Sequence, residues 1–283
     1  MTFVADWPHT FYNPNRSIKN FSLAIKNRLN WLLHTIYWSM HASVQNQISA
    51  VERLSGRMVH IMNDEEISVT ASFNYARHGA PAHILRVNPG RPALDYVIAR
   101  QAGFPLRLFE VPAEQRFDFA VKDSAANALE TEFNTQIPAE LVKSFAKGVV
   151  QWAMLSLRST PVGMRIDQEI FRENHALRAE VVSGIHDQQQ LNLQALGQSV
   201  NGLRSPVRFY GISAAYAIFA SRLLDRGDYV VPYEVTGALK IGRTLMGLWD
   251  DIPKGSEFDR QLVDAWADAL GVRDWYQWIP YEP

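Results

Sequence analysis

The chain has 283 residues, of which 47% are hydrophobic and 20% charged, and its formal net charge is −1 at pH 7. This balance is typical of a folded globular protein, and a nearly neutral chain lacks the overall positive charge that favours a nucleic-acid partner. Because the sequence contains no cysteine, disulfides, thiolate nucleophiles and cysteine-based zinc or iron–sulfur sites are excluded.

After an extended arm over residues 1–16, the sequence predicts one long helix over residues 17–60. Apolar residues recur three or four positions apart and form one stripe: Leu29, Leu33, Ile36, Met40, Val44, Ile48, Val51, Leu54 and Met58. At about 1.5 Å per residue, such a helix would be roughly 60 Å long. We expect either the rest of the chain or a second copy to cover this stripe.

A small α/β segment is expected next, because the apolar period changes after residue 63. The predicted elements are strands at 67–73, 83–87, 106–111 and 117–121 and a helix at 92–102, with Gly103 as its C-cap. The strand–helix–strand order over residues 82–111 predicts one right-handed βαβ unit.

The remainder of the chain predicts a helical half with an aromatic tail. Helices are expected at 138–158, 165–199, 208–226, 233–249 and 257–270, and the tail Asp274–Tyr281 is expected to dock on its own domain. The fold class is therefore α+β and predominantly helical. The segments 1–63, 64–136 and 137–283 are expected to form one compact unit.

A Gly-x-Ser pattern at Gly211 and Ser213, followed by small residues, resembles the nucleophile elbow of α/β-hydrolases. The resemblance implies a tight strand-to-helix turn that exposes the Ser213 hydroxyl for nucleophilic attack. This sequence departs from the family motif at its second glycine, which is Ala215 here, and no histidine follows Ser213. The alternative is that Ser213 lies inside a buried helix whose small residues allow close packing.

The turn Asn88-Pro-Gly90-Arg91 is a candidate anion site, because it joins a predicted strand to a predicted helix start. Free backbone N–H groups and the Arg91 guanidinium would favour an anion there. The turn lacks the glycines of a dinucleotide fingerprint and the Gly-Lys-Ser/Thr of a P-loop. Ordinary turn chemistry is the alternative explanation of the same residues.

We predict neither a metal nor a cofactor, because no two histidines stand four residues apart as a His-Glu-x-x-His motif requires. No apolar run reaches about 18 residues and no secretory signal is apparent, so we expect a cytoplasmic or virion-associated protein without a membrane partner.

The function that these features favour is non-enzymatic. We expect an interaction or assembly protein within a larger complex, for example of a phage or another mobile element. Its partner would be another protein, or a second copy bound through the helix over 17–60. A hydrolase with Ser213 as its nucleophile is the alternative.

Overall fold

The computed structural model describes residues 40–67, 69–133, 138–197, 199 and 203–283. The chain divides into two compact units, one ending at Ala102 and including Pro283, the other formed by Gly103–Glu282. These boundaries differ from the three segments expected from the sequence, whose limits rest on composition and periodicity alone. The predicted class, α+β and predominantly helical, is confirmed.

The first unit contains helix α1 and a three-stranded sheet. Its elements are α1 (Ala42–Ser55), β1 (Met58–Asn63), β2 (Ala71–Asn74), β3 (Ala82–Val87) and the first turns of α2 (Leu94–Glu110). Strand β3 is central, parallel to β1 and antiparallel to β2. The parallel register runs from Met58 opposite Ala82 to Asn63 opposite Val87.

Within its described part, the predicted helix over 17–60 is confirmed over Ala42–Ser55 but is wrong at its end, where it gives way to strand β1. His41 has an extended backbone (φ −58°, ψ 140°) and its side chain accepts the Ser43 N–H, as an N-cap does. Its own N–H donates to the Asp95 carboxylate at 2.9 Å. Gly56, at φ 70°, ends the helix. Residues 17–39 of the prediction lie outside the described residues.

The predicted βαβ unit over 82–111 is also wrong. Helix α2 does not stop at Gly103 but continues through Pro105 to Glu110, so residues 106–110 are helical rather than a strand. The reason is a packing contact: a Cβ on Gly103 would lie 2.6 Å from Cγ2 of Ile166. Gly103 therefore provides room for a neighbouring side chain and does not cap the helix.

The second unit is built around a long central helix. Its elements after α2 are β4 (Phe117–Val121), α3 (Ser124–Glu130), α4 (Ala139–Glu173), α5 (Arg178–Gly197), α6 (Val207–Leu224), α7 (Val231–Glu234), α8 (Ala238–Asp251), α9 (Asp259–Leu270) and β5 (Tyr276–Pro280). Strands β4 and β5 pair antiparallel. The prediction that the aromatic tail docks on its own domain is confirmed by this pairing.

Several helix boundaries differ from prediction, among them the predicted helix over 165–199, which is divided because α4 ends at Glu173 and α5 begins at Arg178. Helix α4 runs through Pro161, where a break was expected, and every residue from 161 to 167 is buried. The Pro161 carbonyl accepts a hydrogen bond from Trp249 Nε1 at 3.1 Å, which ties this part of α4 to α8. The predicted helix over 233–249 is instead two helices, because Gly237 adopts a left-handed conformation (φ 75°) between them.

Candidate functional site

One face of the β4–β5 ribbon is lined with aromatic side chains. Phe117, Phe119 and Val121 alternate along β4 and so project from the same face. The register places Pro280, Trp278 and Tyr276 opposite them. Cross-strand aromatic pairs of this kind stabilise a ribbon whose two strands lie far apart in the sequence.

The rings on this face contact one another directly. Phe119 stacks on Tyr276 with centroids 4.2 Å apart, and Trp278 meets both rings edge-on, at 5.4 Å from Phe119 and 5.8 Å from Tyr276. Tyr276 is buried, whereas Phe117, Phe119 and Trp278 are only half-buried. Part of a packed aromatic cluster therefore faces solvent.

Helix α9 contributes an arginine to this cluster. The guanidinium carbon of Arg260 lies 4.3 Å from the centroid of Phe117 and 5.7 Å from that of Trp278. Arg260 itself is exposed. A guanidinium held over ring faces at these distances makes a favourable cation–π contact. We call Phe117, Phe119, Trp278 and Arg260 the aromatic–arginine surface.

Asp264, one helical turn after Arg260, fixes the orientation of the rings. Its Oδ1 accepts hydrogen bonds from Tyr276 Oη at 2.5 Å and from Trp278 Nε1 at 2.7 Å, while Oδ2 lies 3.3 Å from Arg273 Nη2. Burial raises the pKa of Tyr276, and the hydrogen bond to the Asp264 carboxylate raises it further. The hydroxyl thus stays a donor, and Asp264 holds the Tyr276 and Trp278 side chains in one arrangement.

A second polar cluster lies deeper in the same unit, around Asp259 at the start of α9. Arg107 donates to Asp259 Oδ2 at 2.6 Å and to Oδ1 at 2.9 Å, and Arg165 donates to Oδ1 at 2.7 Å. Arg107 also donates to the Lys254 carbonyl at 2.7 Å. Arg165 reaches the Ile252 and Gly255 carbonyls. These contacts fasten the α8–α9 connection to α2 and α4.

The pKa values of the two arginines shift in opposite directions, although burial disfavours the charged form of both. Burial lowers the pKa of Arg165, and the positive charge of Arg107 adds to this effect, while Asp259 opposes both. Burial also acts against a charged Arg107, but its hydrogen bond to Asp259 and the nearby carboxylates leave its pKa raised. The pKa of Lys254 falls to about 8, mainly by burial and then by the charge of Arg165. This cluster is a structural anchor for the α8–α9 connection.

Ser213 lies inside α6, which is already helical from Val207, so the predicted strand-to-helix elbow is wrong. The small residues around it serve close helix packing. A Cβ on Gly211 would overlap the Ile241 side chain, and a Cβ on Gly242 would lie 2.8 Å from the Ala214 Cβ. The Ser213 residue is 6% exposed. A nucleophilic role for Ser213 stays a prediction of the alternative function.

The predicted anion loop forms a closed turn. Asn88 Oδ1 accepts the Gly90 N–H at 3.1 Å, and the Asn88 carbonyl accepts the Arg91 N–H at 3.2 Å. The Asn88 amide donates to the carbonyls of Glu65 and Ile67. The two backbone N–H groups expected to bind an anion are thus engaged inside the turn. Anion binding by Asn88, Gly90 and Arg91 stays a prediction.

Sequence reasoning identified the aromatic tail but missed Arg260, Asp264 and the two buried arginines. The spacing of Arg260 and Asp264, four residues apart on one helix face, is a signal that could have linked them to the tail. Nothing local in the sequence places α9 beside residues 117–121.

Among the described residues, no group of three or more histidine, aspartate or glutamate side chains is placed to hold a metal ion. None of the helices described has the length and hydropathy needed to cross a bilayer. No family model, no curated protein and no solved structure matches the chain.

Proposed function

We propose that this chain is a non-enzymatic interaction protein that binds another protein through the aromatic–arginine surface. The observation that carries the proposal is an aromatic cluster whose Phe117, Phe119 and Trp278 are only half-buried and in which Asp264 fixes Trp278 and Tyr276 by hydrogen bonds. Aromatic residues and arginine are enriched at protein–protein interfaces and among the residues that dominate binding energy.

The energetics of the surface favour a partner. Burying apolar area contributes about 25 cal/mol per Å². A bound partner would bury the parts of the Phe117, Phe119 and Trp278 rings that are exposed in the free protein. Because Phe119 and Trp278 already contact each other and Trp278 is hydrogen-bonded to Asp264, these two rings would lose little side-chain entropy on association. Val121 is 44% exposed on the same face and extends the apolar area.

This proposal moves the interface away from the helix over 17–60. In the described part of that helix, Val44, Ile48 and Val51 are each 0% exposed, so their apolar face is already covered. The aromatic–arginine surface offers a partner what that face does not, namely accessible rings beside an exposed cation.

The test is site-specific photo-crosslinking with the full chain. A benzophenone amino acid replaces Phe117 in one variant and Gln277 in the other. Each variant is then irradiated in a lysate of the source organism. Gln277 is exposed on the opposite face of the ribbon and serves as the control. We expect a protein adduct from position 117 and none from position 277.

The captured partner is then purified and its affinity measured by calorimetry. Trp278→Ala should weaken binding at least tenfold, or about 1.4 kcal/mol, whereas Gln277→Ala should change it less than twofold. Circular dichroism checks that Trp278→Ala retains its fold. The proposal fails if no adduct forms at position 117, or if both positions give the same adduct.

A further inference from the structure

We infer that the aromatic–arginine surface takes an acidic segment of its protein partner, with a partner carboxylate on the Arg260 guanidinium and an apolar side chain on the rings. This rests on the proposed function and adds the chemical class of the bound segment.

Arg260 is a cation whose hydrogen-bonding capacity is unused. Its guanidinium lies over Phe117 and Trp278, and in the described part of the chain it forms no ion pair and no hydrogen bond with an acceptor. A guanidinium carries five N–H donors in its plane. Stacking on a ring uses the face of that plane and leaves its edge available to a carboxylate.

The two carboxylates closest to Arg260 on its own helix, those of Asp259 and Asp264, are committed to other donors. Asp259 is held by Arg107 and Arg165, as described above. Asp264 accepts from two aromatic side chains and from Arg273. The exposed Glu257 carboxylate lies beside Gly255 and, in the described part of the chain, makes no ion pair with Arg260. An acceptor for Arg260 would therefore come from outside these groups.

A planar guanidinium supported on aromatic rings matches a carboxylate in bidentate geometry. A partner segment that supplies one carboxylate next to an apolar side chain would satisfy Arg260 and cover the half-exposed rings together. A polyanion fits less well, because the exposed Asp268 lies about two turns further along the same helix and would repel successive phosphates. The charge pattern thus favours an acidic protein segment over a nucleic acid.

The experiment pans phage-displayed random heptapeptides on the immobilised full chain and counter-selects on Arg260→Ala. The best peptide is made with a fluorophore, together with its Glu→Gln or Asp→Asn isostere, and both are titrated by fluorescence anisotropy. The proteins tested are the wild type, Arg260→Ala, Arg260→Lys, Trp278→Ala and Arg243→Ala. Arg243 is an exposed arginine on α8 and serves as the matched control.

The selected peptides should place an acidic residue beside an apolar one. The isostere and Arg260→Ala should each weaken binding at least tenfold, Arg260→Lys should restore it only in part, and Arg243→Ala should leave it unchanged. Peptides that need Trp278 but contain no acidic residue would overturn this inference and leave the proposed function standing.

Two further results would count against the inference. A 20-residue oligothymidine that binds in an Arg260-dependent way and displaces the peptide would identify the surface as a nucleic-acid site. If no selected peptide loses affinity in Trp278→Ala, both the inference and the proposed function fail.

Discussion

Arg165 is 4% exposed, and its Nε has no hydrogen-bond partner within the described residues. A buried guanidinium is costly unless an opposite charge compensates it, and here Asp259 compensates Arg165 and Arg107 at once. Asp259 is therefore the carboxylate that pairs directly with both arginines and, through them, stabilises the α8–α9 connection. Its removal should affect stability more than most single substitutions.

Asp259→Asn keeps the side-chain shape but removes the carboxylate that pairs directly with both guanidinium groups. We expect the free energy of unfolding to fall by about 3 kcal/mol. Asp268→Asn, on an exposed position of the same helix, is the control and should change it by no more than about 0.5 kcal/mol. Urea unfolding followed by circular dichroism measures both. A loss in Asp259→Asn no larger than in the control would show that the cluster is not an anchor.

His83 predicts a pH dependence in the first unit. It is 0% exposed on β3, and its Nδ1 accepts the Ala76 N–H at 2.9 Å, which requires that nitrogen to be unprotonated. Burial lowers its pKa from 6.5 to about 4, and the nearby Arg57 contributes. His83 binds a proton more readily in the unfolded chain than in the folded one. Its neutral form therefore contributes stability to the fold that is fully present above pH 6.5 and is lost as the pH falls through 4.

We therefore expect the wild type to lose about 2 kcal/mol more stability than His83→Gln between pH 7 and pH 4.5. Glutamine can still accept the Ala76 N–H but does not titrate in this range. Urea unfolding at the two pH values gives the comparison. Parallel losses in the two proteins would assign the acid sensitivity to other groups.

At the scale of elements, the packing of α6 on α8 depends on small residues. A Cβ on Gly242 would lie 2.9 Å from the Ala214 carbonyl carbon and from the Ala215 nitrogen, which are backbone atoms that cannot move aside alone. Gly247, on the same helix, has nothing within 4 Å of its hypothetical Cβ. The two glycines thus separate the packing effect of a methyl group from its effect on helix propensity.

Gly242→Ala and Gly247→Ala should change stability in opposite directions. At position 242 we expect a loss of about 1–3 kcal/mol, because the helices must separate. At position 247, alanine should stabilise by up to about 1 kcal/mol through helix propensity alone. Thermal melts of the two variants compare them directly. Stabilisation by both substitutions would mean that the helices do not approach this closely.

Two other glycines, Gly103 and Gly211, show why some element boundaries predicted from the sequence were wrong. Gly103 has the local signature of a helix stop, and Gly211 with Ser213 that of a catalytic turn. Each glycine instead makes room for a residue distant in sequence, Ile166 or Ile241. Local periodicity predicted the helical class, strand 117–121 and the ordered tail. It contains no information on which distant residue fills the space beside a glycine.

At the scale of the whole molecule, long-range pairing creates the candidate site. Phe117 lies opposite Pro280, so the aromatic face exists only after two distant parts of the chain have met. The sequence indicated an aromatic tail but not which residues it contacts. Strand 117–121 was predicted without a pairing partner. Arg260 and Asp264 join the surface because α9 packs beside that ribbon. No pattern within a single segment predicts such long-range contacts.

The apolar stripe of helix α1 is covered either by the rest of the chain or by a second copy. Because Ile48 is 0% exposed, we expect its apolar stripe to belong to the core of the chain rather than to an interface between copies. Ile48→Asp buries an unpaired charge and should lower the free energy of unfolding by about 3 kcal/mol or more, with lost helicity and a lower melting temperature. Ser49→Asp, exposed on the same helix, should leave both unchanged. Circular dichroism together with light scattering distinguishes the two arrangements. An Ile48→Asp protein that kept its helicity but halved its mass would show that α1 is covered by a second copy, and the core assignment would be wrong.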